Sequence, residues 1–414
     1  FDMNYTELRK IYYSDFDNYE KEYQHRLNGY SSLVTQLYPR LMKKDQFHTS
    51  RYPLFAVLHL GIQLLTQNII ETSDKIKTIA AQLPEVAHQQ FYTEQMYQSI
   101  ISTNEIEGIV TTRQELKEAD RMVNIKVRAD KKTKHLSTLR MYKDILNDDF
   151  LHIEKLEDIR AIYDQLTSGE IDEDDQLDGR LFRKEQAFVR DEQSGKAVHI
   201  PPVDEDHIEG MLRDWIIFIN SSQVPYLIKA SLGHYFFENI HPFYDGNGRC
   251  GRYILAKYLA RRLDKFSGLV VSQKINEYKN DYYKAFKTSG HYLNCADGTF
   301  FVHYLLKCIL EGQEEILLTL QEKHSDLQDY QTKLDENQDL SDVEKYVIYL
   351  LAQSKLFVNE DDGLEDRDIL AIASQSQHHF SQRSIKDSIL KLEEKGILEV
   401  ITKKPLRHIL SDSF

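Results

Sequence analysis

The stretch HPFYDGNGRCGR, residues 241–252, decides how the rest of the chain is read. Within twelve positions it places a histidine before proline, an acid, two glycines around an asparagine, and two arginines. Upstream, YLIKASLGHYFFENI (226–240) has helical periodicity and is expected to end near His241, because proline disfavours helix at the residue before it. Downstream, Ile254, Leu255, Tyr258 and Leu259 mark the buried face of a second helix. Asp245-Gly246-Asn247-Gly248 is therefore a loop that feeds a helix N-terminus.

A helix N-terminus offers free backbone N–H groups and the positive end of a dipole. Glycines let successive amides turn inward around an anion. Arg249 and Arg252, three apart in the first turn, share a face toward the loop. Such a place suits a polyphosphate. Asp245 beside phosphates suits Mg²⁺, which takes oxygen ligands from one or two acids plus the phosphates. His241 has the side chain to accept a hydroxyl proton near neutrality. Phe243 reads as an apolar plug beneath the loop.

Taken singly, a helix-end histidine, a DGNG turn and an Arg pair are ordinary surface features. Their fixed order resembles the Fic-domain family, whose core pattern is H-x-F-x-[D/E]-G-N-G-R-x-x-R; residues 241–252 match all eight specified positions. The resemblance covers about residues 1–310, with the catalytic core near 150–310. It implies transfer of AMP from ATP to a Ser, Thr or Tyr hydroxyl of a target protein, or of the chain itself. His241 would be the general base and Asp245 would hold Mg²⁺. Gly246, Asn247 and Gly248 would cradle the phosphates, and Arg249 and Arg252 would bind the outer ones. Tyr282 or Tyr283, in NEYKNDYYKAF, is a candidate adenine contact, with Tyr283 preferred.

QAFVRDEQSGKAVHIPP (186–202) reads as a β-hairpin: two short apolar runs around a polar turn with Ser194-Gly195, closed by Pro201-Pro202. By itself it is as easily a connector. Under the resemblance it is the flap that docks a target by strand addition, with Phe188, Val189, Val198 and His199 at the docking face. Further upstream, STNEIEGI (102–109) resembles the family's inhibitory helix, [S/T]-x-x-x-E-[G/N], through Thr103, Glu107 and Gly108. Its position before the core implies the N-terminally inhibited, single-chain class. Glu107 would pair with Arg252 and deny ATP's outer phosphates their partner. Glu107 could also orient water for removal of AMP from a modified target.

The fold class expected is mostly α: a Fic-type helical core with a β-hairpin flap, plus a small winged-helix C-terminal domain. Residues 1–149 form an N-terminal helical region with the inhibitory helix at about 100–110. Residues 150–310 form the core, 311–339 a helical linker, and 340–414 the tail domain. PLFAVLHLGIQLLTQNIIETSDKIKTIAAQL (53–83) and the segments around 134–166 and 207–220 carry helical periodicity. In the linker, Leu320, Leu327 and Leu334 keep heptad spacing, but Leu317, His324 and Gln331 at the other seam position argue against a strong coiled coil. In the tail, SQRSIKDSILKLEEKGIL opens on Ser381 as an N-cap and closes on Gly396 as a C-cap. Two strand-like runs around Lys403-Lys404-Pro405 follow it.

The 414 residues suggest two or three packed units. No apolar run approaches a membrane span, no secretory-signal core follows Phe1, and three cysteines make no disulfide framework; a reducing cytoplasm fits. The missing initiator Met points to a trimmed or incomplete sequence. A formal charge of −14 disfavours broad nucleic-acid binding. A DNA-binding regulator acting through the tail is the main alternative, but residues 340–414 carry thirteen Asp and Glu against ten Lys and Arg. Arg383, Lys386, Lys391, Lys403, Lys404 and Arg407 could still share a face, and protein recruitment or homodimerisation competes with DNA. Transfer of phosphate or phosphocholine on the same fold is a second alternative; retention of Gly248, where departing relatives carry lysine, favours AMP.

Overall fold

The structure, a computed structural model, describes residues 5–44, 46–48, 51–124, 135–145, 151–190, 197–358, 363–375 and 380–412. The N-terminal part runs α1 (Leu8–Ser14), α2 (Phe16–Leu27), β1 (Ser32–Val34), β2 (Leu41–Lys43), β3 (Gln46–His48), β4 (Phe55–Val57) and α3 (Leu60–Ala80). Then come α4 (Glu85–Ile106), α5 (Arg113–Asn124), α6 (Leu136–Lys143), α7 (Leu156–Leu166), β5 (Val189–Arg190), β6 (Ala197–His199) and α8 (Glu205–Asn220). The motif helices are α9 (Tyr226–Ile240) and α10 (Asn247–Arg262), followed by α11 (Lys265–Glu277), α12 (Lys279–Gly290) and α13 (Thr299–Glu336). The chain ends with α14 (Asp342–Phe357), β7 (Leu364–Glu365), α15 (Asp366–Gln375), α16 (Gln382–Glu394), β8 (Leu398–Lys403) and β9 (Leu406–Leu410).

The chain divides into two units, one of residues 1–74 and 96–314, the other of 75–95 and 315–414. The first is predominantly helical and contains the whole motif region. Its centre is α9, buried from Leu227 to Ile240 on every face. A helix buried on every face is a core helix, and its Lys229, His234, Glu238 and Asn239 are buried polar groups within it. It packs between α8 and α10, and α10 packs on α11. Side-chain caps start two of these neighbours: Asp204 accepts from the His207 amide at the head of α8, and Asp264 from the Ser267 amide at the head of α11.

Three differences from the sequence expectations arise here. The helix expected from residue 53 starts at Leu60; Phe55–Val57 is instead strand β4, paired antiparallel with β1, and the Phe55 amide donates to Ala296 O (3.3 Å). Tertiary pairing overrides the local apolar periodicity there. Periodicity around 134–166 resolves into two separate helices, α6 and α7. Residues 311–336 belong to α13, one helix continuous from Thr299, and its heptad leucines Leu320, Leu327 and Leu334 are fully buried.

In the second unit, α14, α15 and α16 accompany a three-stranded antiparallel sheet of order β7-β9-β8. Strand β7 is an addition to the expected three helices and hairpin. Ser381 caps α16 by accepting from the Ser384 amide at 3.1 Å. At the far end the Gly396 and Ile397 amides return to Glu393 O and Leu392 O (both 2.9 Å), with Gly396 left-handed, which makes a Schellman stop. Arg407, expected on a basic face, is tied to Glu365 at 2.8 Å. Arg383, Lys386, Lys391, Lys403 and Lys404 are exposed, the first three interleaved on α16 with Asp387, Glu393 and Glu394.

Candidate active site

The site is built where α9 ends and α10 begins. Pro242 stops α9, and His241 takes the left-handed conformation (φ 51°) with its amide on Phe237 O (3.1 Å). That backbone is costly for a β-carbon-bearing residue, about 1–2 kcal/mol, and such strain collects at functional positions. Phe243, fully buried, stacks on Tyr163 at 3.8 Å between centroids and tilts against Phe182 at 5.8 Å, so it is the plug expected. Asn247 folds back on the loop: its Oδ1 accepts from the Phe243 amide (2.9 Å) and its Nδ2 donates to Phe243 O (2.8 Å). Its side chain therefore shapes the turn and leaves its backbone amide at the start of α10. The opening amides of α10 have no carbonyl one turn behind them, and Gly246 sits left-handed at the entrance.

Helix α4 brings Thr103 and Glu107 to Arg252. It ends in a Schellman motif: the Gly108 amide donates to Glu105 O (3.0 Å) and the Ile109 amide to Asn104 O (2.9 Å), with Gly108 at φ 75°. That stop fixes Glu107 at the helix end, one turn beyond Thr103 and on the same side. Both meet Arg252. Its Nη2 donates to Glu107 Oε1 at 2.6 Å and to Thr103 O at 3.0 Å, and its Nε donates to Thr103 Oγ1 at 2.8 Å. Burial alone would raise the Glu107 carboxyl, but the Arg252 guanidinium beside it holds it below the usual carboxylate range. Gly248 makes room for this pair. A β-carbon there would lie 2.2 Å from Glu107 Oε1 and 2.6 Å from Arg252 Nη1.

Arg249, expected at the outer phosphates, is also occupied by carboxylates. Its Nη1 donates to Glu170 at 2.8 Å and its Nη2 to Asp245 at 3.1 Å. Glu170 accepts in addition from the His135 amide (3.2 Å). Burial pushes its carboxyl up, and His135 and Arg249 more than offset that. Glu170 was not legible in the sequence, because an acid in TSGEID carries no spacing signal. Asp245 is 39% exposed, the most open carboxylate of the cluster. Behind Arg252 lies a second acid, Glu238, whose burial pushes it up to about 8 despite the nearby guanidinium, favouring its neutral form.

His241 is half-buried, and burial pushes its imidazole down to about 4, with the Glu107 charge partly offsetting the shift. At neutral pH it is an uncharged base. A second residue without a sequence signal holds its backbone. Arg183, fully buried, donates from Nε to His241 O (2.9 Å), from Nη1 to Glu185 O (2.6 Å) and from Nη2 to Pro202 O (2.9 Å). It thereby ties the base to both roots of the flap. Arg183→Ala strips three carbonyls of a charged donor. The expected loss is at least about 3 kcal/mol of unfolding free energy, read by chemical denaturation, and Arg183→Lys is not expected to restore it.

The flap is a hairpin of β5 on β6, with Val189 opposite His199 and Arg190 opposite Ala197 and an irregularity between. The expected turn at Ser194-Gly195 lies outside the described residues. Phe188 is exposed, and Val189 and Val198 are half-buried. His199 is not at a docking face. It is buried, packs edge-on against Phe286 (5.5 Å) and donates from Nε2 to Asn239 O at 2.6 Å, with burial pushing its imidazole down to about 3. It anchors the flap from below. Of the tyrosine pair on α12, Tyr282 is buried with its hydroxyl 3.2 Å from His234 Nε2, whereas Tyr283 is half-buried, edge-on to Tyr282.

Fold and site together define a helical domain in which His241 ends α9, α10 starts at the loop beyond it, and the Glu107–Arg252 ion pair lies against Gly248. Residues 153–259 match the Fic/DOC family model, so the chain carries a Fic domain. The chain is 28% identical over 134 residues to the "Protein adenylyltransferase Fic" of Nematostella vectensis, covering 32% of this chain and 28% of that one. It is 36% identical over 89 residues to the protein of the same name from Drosophila willistoni, covering 21% and 16%. The chain thus spans well under a third of the length of these curated relatives. A crystal structure of a Fic family protein from Desulfovibrio desulfuricans G20 superposes with a TM-score of 0.49 at 19% identity, over 83% of this chain and 96% of that one. "Fic-1 (aa134 - 508)" from C. elegans superposes with a TM-score of 0.44 at 18% identity, over 63% and 74%.

Proposed function

We propose that the chain is a protein adenylyltransferase that transfers AMP from ATP to a protein hydroxyl and is held inactive by Glu107. The observation that carries this reading is the Glu107–Arg252 ion pair lying against Gly248 at the mouth of α10. An arginine aimed into a phosphate cradle but closed by a carboxylate is a receptor with its own counter-ion in place.

In the proposed reaction, ATP's outer phosphates displace carboxylates from Arg252 and Arg249 and take the opening amides of α10. The target enters beside the flap, adding a strand to the β5–β6 edge with Phe188 at its face. His241, neutral because it is buried, removes the hydroxyl proton; the oxygen bonds to the α-phosphorus and pyrophosphate departs. Arg183 keeps the imidazole pointed by fixing its backbone. Asp245 would hold Mg²⁺. A single open carboxylate completed by phosphate oxygens suits that ion, and among the described residues no cluster of three or more His, Cys, Asp or Glu could hold a metal by itself. The ion, when bound, neutralises charge on the phosphates.

Two measurements test this reading. With the Glu107→Gly variant, label from the α-phosphate of ATP is expected to become covalently attached to protein, and γ-phosphate label is not. Attachment of γ-label would instead assign phosphate transfer. The second is the pH profile of kcat/KM in the same variant. Protonation disables the base, so the acid limb follows His241. Removing the Glu107 charge lowers its pKa further, so activity is expected to stay level down to about pH 5, with the limb at or below about 4. An acid limb near 6.5 contradicts a buried base.

A further inference from the structure

A cavity of about 240 Å³ lies in the first unit among α8, α9 and α10, away from the latch. Its α10 wall includes Gly251, Leu255, Tyr258 and Arg262, at three- and four-residue spacing, with Arg249 on the opposite face of the helix. By the scale on which a cavity of about 150 Å³ takes up benzene, this one holds a one- or two-ring compound.

The lining is chemically one-sided. Trp215, Phe237 and Leu255 supply an apolar body, and Lys229, Lys257, Arg261 and Arg262 supply positive charge. Among the described residues no Asp or Glu lines the cavity. Lys229 is buried, and its ammonium donates to the Ser221 carbonyl; no carboxylate among the described residues pairs with it. An ammonium has three donors, and burying one without a counter-charge is unfavourable. Arg262 is exposed, its guanidinium 5.7 Å above the Tyr258 ring. In a chain of net charge −14, four cationic residues lining one cavity with no acid among them are a local exception. Burial and the Arg262 charge also hold the Lys229 amine below its ordinary range, which a bound anion would reverse.

We propose that this cavity is a second ligand site, separate from the nucleotide cradle, for a small organic anion: a ring or short aliphatic body carrying a carboxylate or comparable acid. The body packs on Trp215 and the acid meets Lys229 and Arg262. The reading does not depend on AMP transfer.

Trp215 is the chain's single tryptophan, so its emission reports occupancy. The probes are 4-nitrobenzoate, an anionic quencher, and 4-nitrobenzamide, its neutral counterpart of nearly the same shape. In the full chain, 4-nitrobenzoate is expected to quench Trp215 saturably, one per chain, and about tenfold or more tighter than the amide. Arg262→Gln, at an exposed position that leaves the fold intact, and Lys229→Gln are each expected to weaken it by a similar factor. Saturating Mg-ATP is expected to leave the titration unchanged. Equal quenching by the two probes, linear unsaturable quenching, or unaltered binding by Arg262→Gln would overturn the proposal. Competition by Mg-ATP would assign the ligand to the nucleotide cradle and overturn it equally.

Discussion

Replacing Glu107 with glycine is expected to raise self-modification with labelled ATP by about ten- to a hundredfold, the range of a coupling of about 1–3 kcal/mol. The gain comes from Arg252. In the wild type its guanidinium spends one donor on Glu107 at 2.6 Å, while two more go to Thr103. In the proposed reaction ATP displaces that carboxylate before its outer phosphates align. The same change should cost stability, because removing one partner of a buried pair leaves the other charge uncompensated. The ceiling is about 3–5 kcal/mol, reduced here because Thr103 remains and the Glu107 side chain is 24% exposed. Activation with a lowered melting temperature is therefore the paired signature. Glu107→Gln, which keeps a hydrogen bond and loses the charge, should fall between wild type and glycine in both readouts. Equal activity of wild type and Glu107→Gly would remove the latch from the account.

His241→Ala in the Glu107→Gly background is expected to lower transfer by about a hundred- to ten-thousandfold, the contribution of a positioned general base. Nucleotide affinity should hardly change, because His241 has no part in gripping the outer phosphates. The imidazole suits this task because burial holds it near 4 and thus uncharged at neutral pH. A loss of ATP binding in this variant, in place of a loss of rate, would recast His241 as a structural residue at the end of α9. Its left-handed backbone makes that alternative concrete, so melting temperature should be recorded alongside.

The parts of the site legible in the sequence are those governed by local rules. Pro242 announced the end of α9, and the glycines announced the turn into α10. Thr103, Glu107 and Gly108 were marked by resemblance to the family's inhibitory helix, and helical spacing with a glycine stop accounts for their facing one partner. What escaped was set by distant parts of the chain. Arg183 is 58 positions from the carbonyl it holds, and Glu170 is 79 from Arg249. Neither has a neighbour in sequence that marks it. His199 alternates correctly along a strand, but which side of a hairpin faces the core depends on what α12 and α9 present beneath it. Residues 55–57 failed for a related reason: an apolar run suits helix and strand alike, and pairing with Ser32–Val34 chose between them.

The most direct measurement is titration calorimetry of Mg-ATP into wild type, Glu107→Gly, and Glu107→Gly combined with Arg252→Ala. Stoichiometric uptake by Glu107→Gly, reduced about tenfold or more when Arg252 is also removed, is the result expected of a phosphate cradle behind a carboxylate latch. No detectable uptake by Glu107→Gly, or uptake indifferent to Arg252, would contradict it.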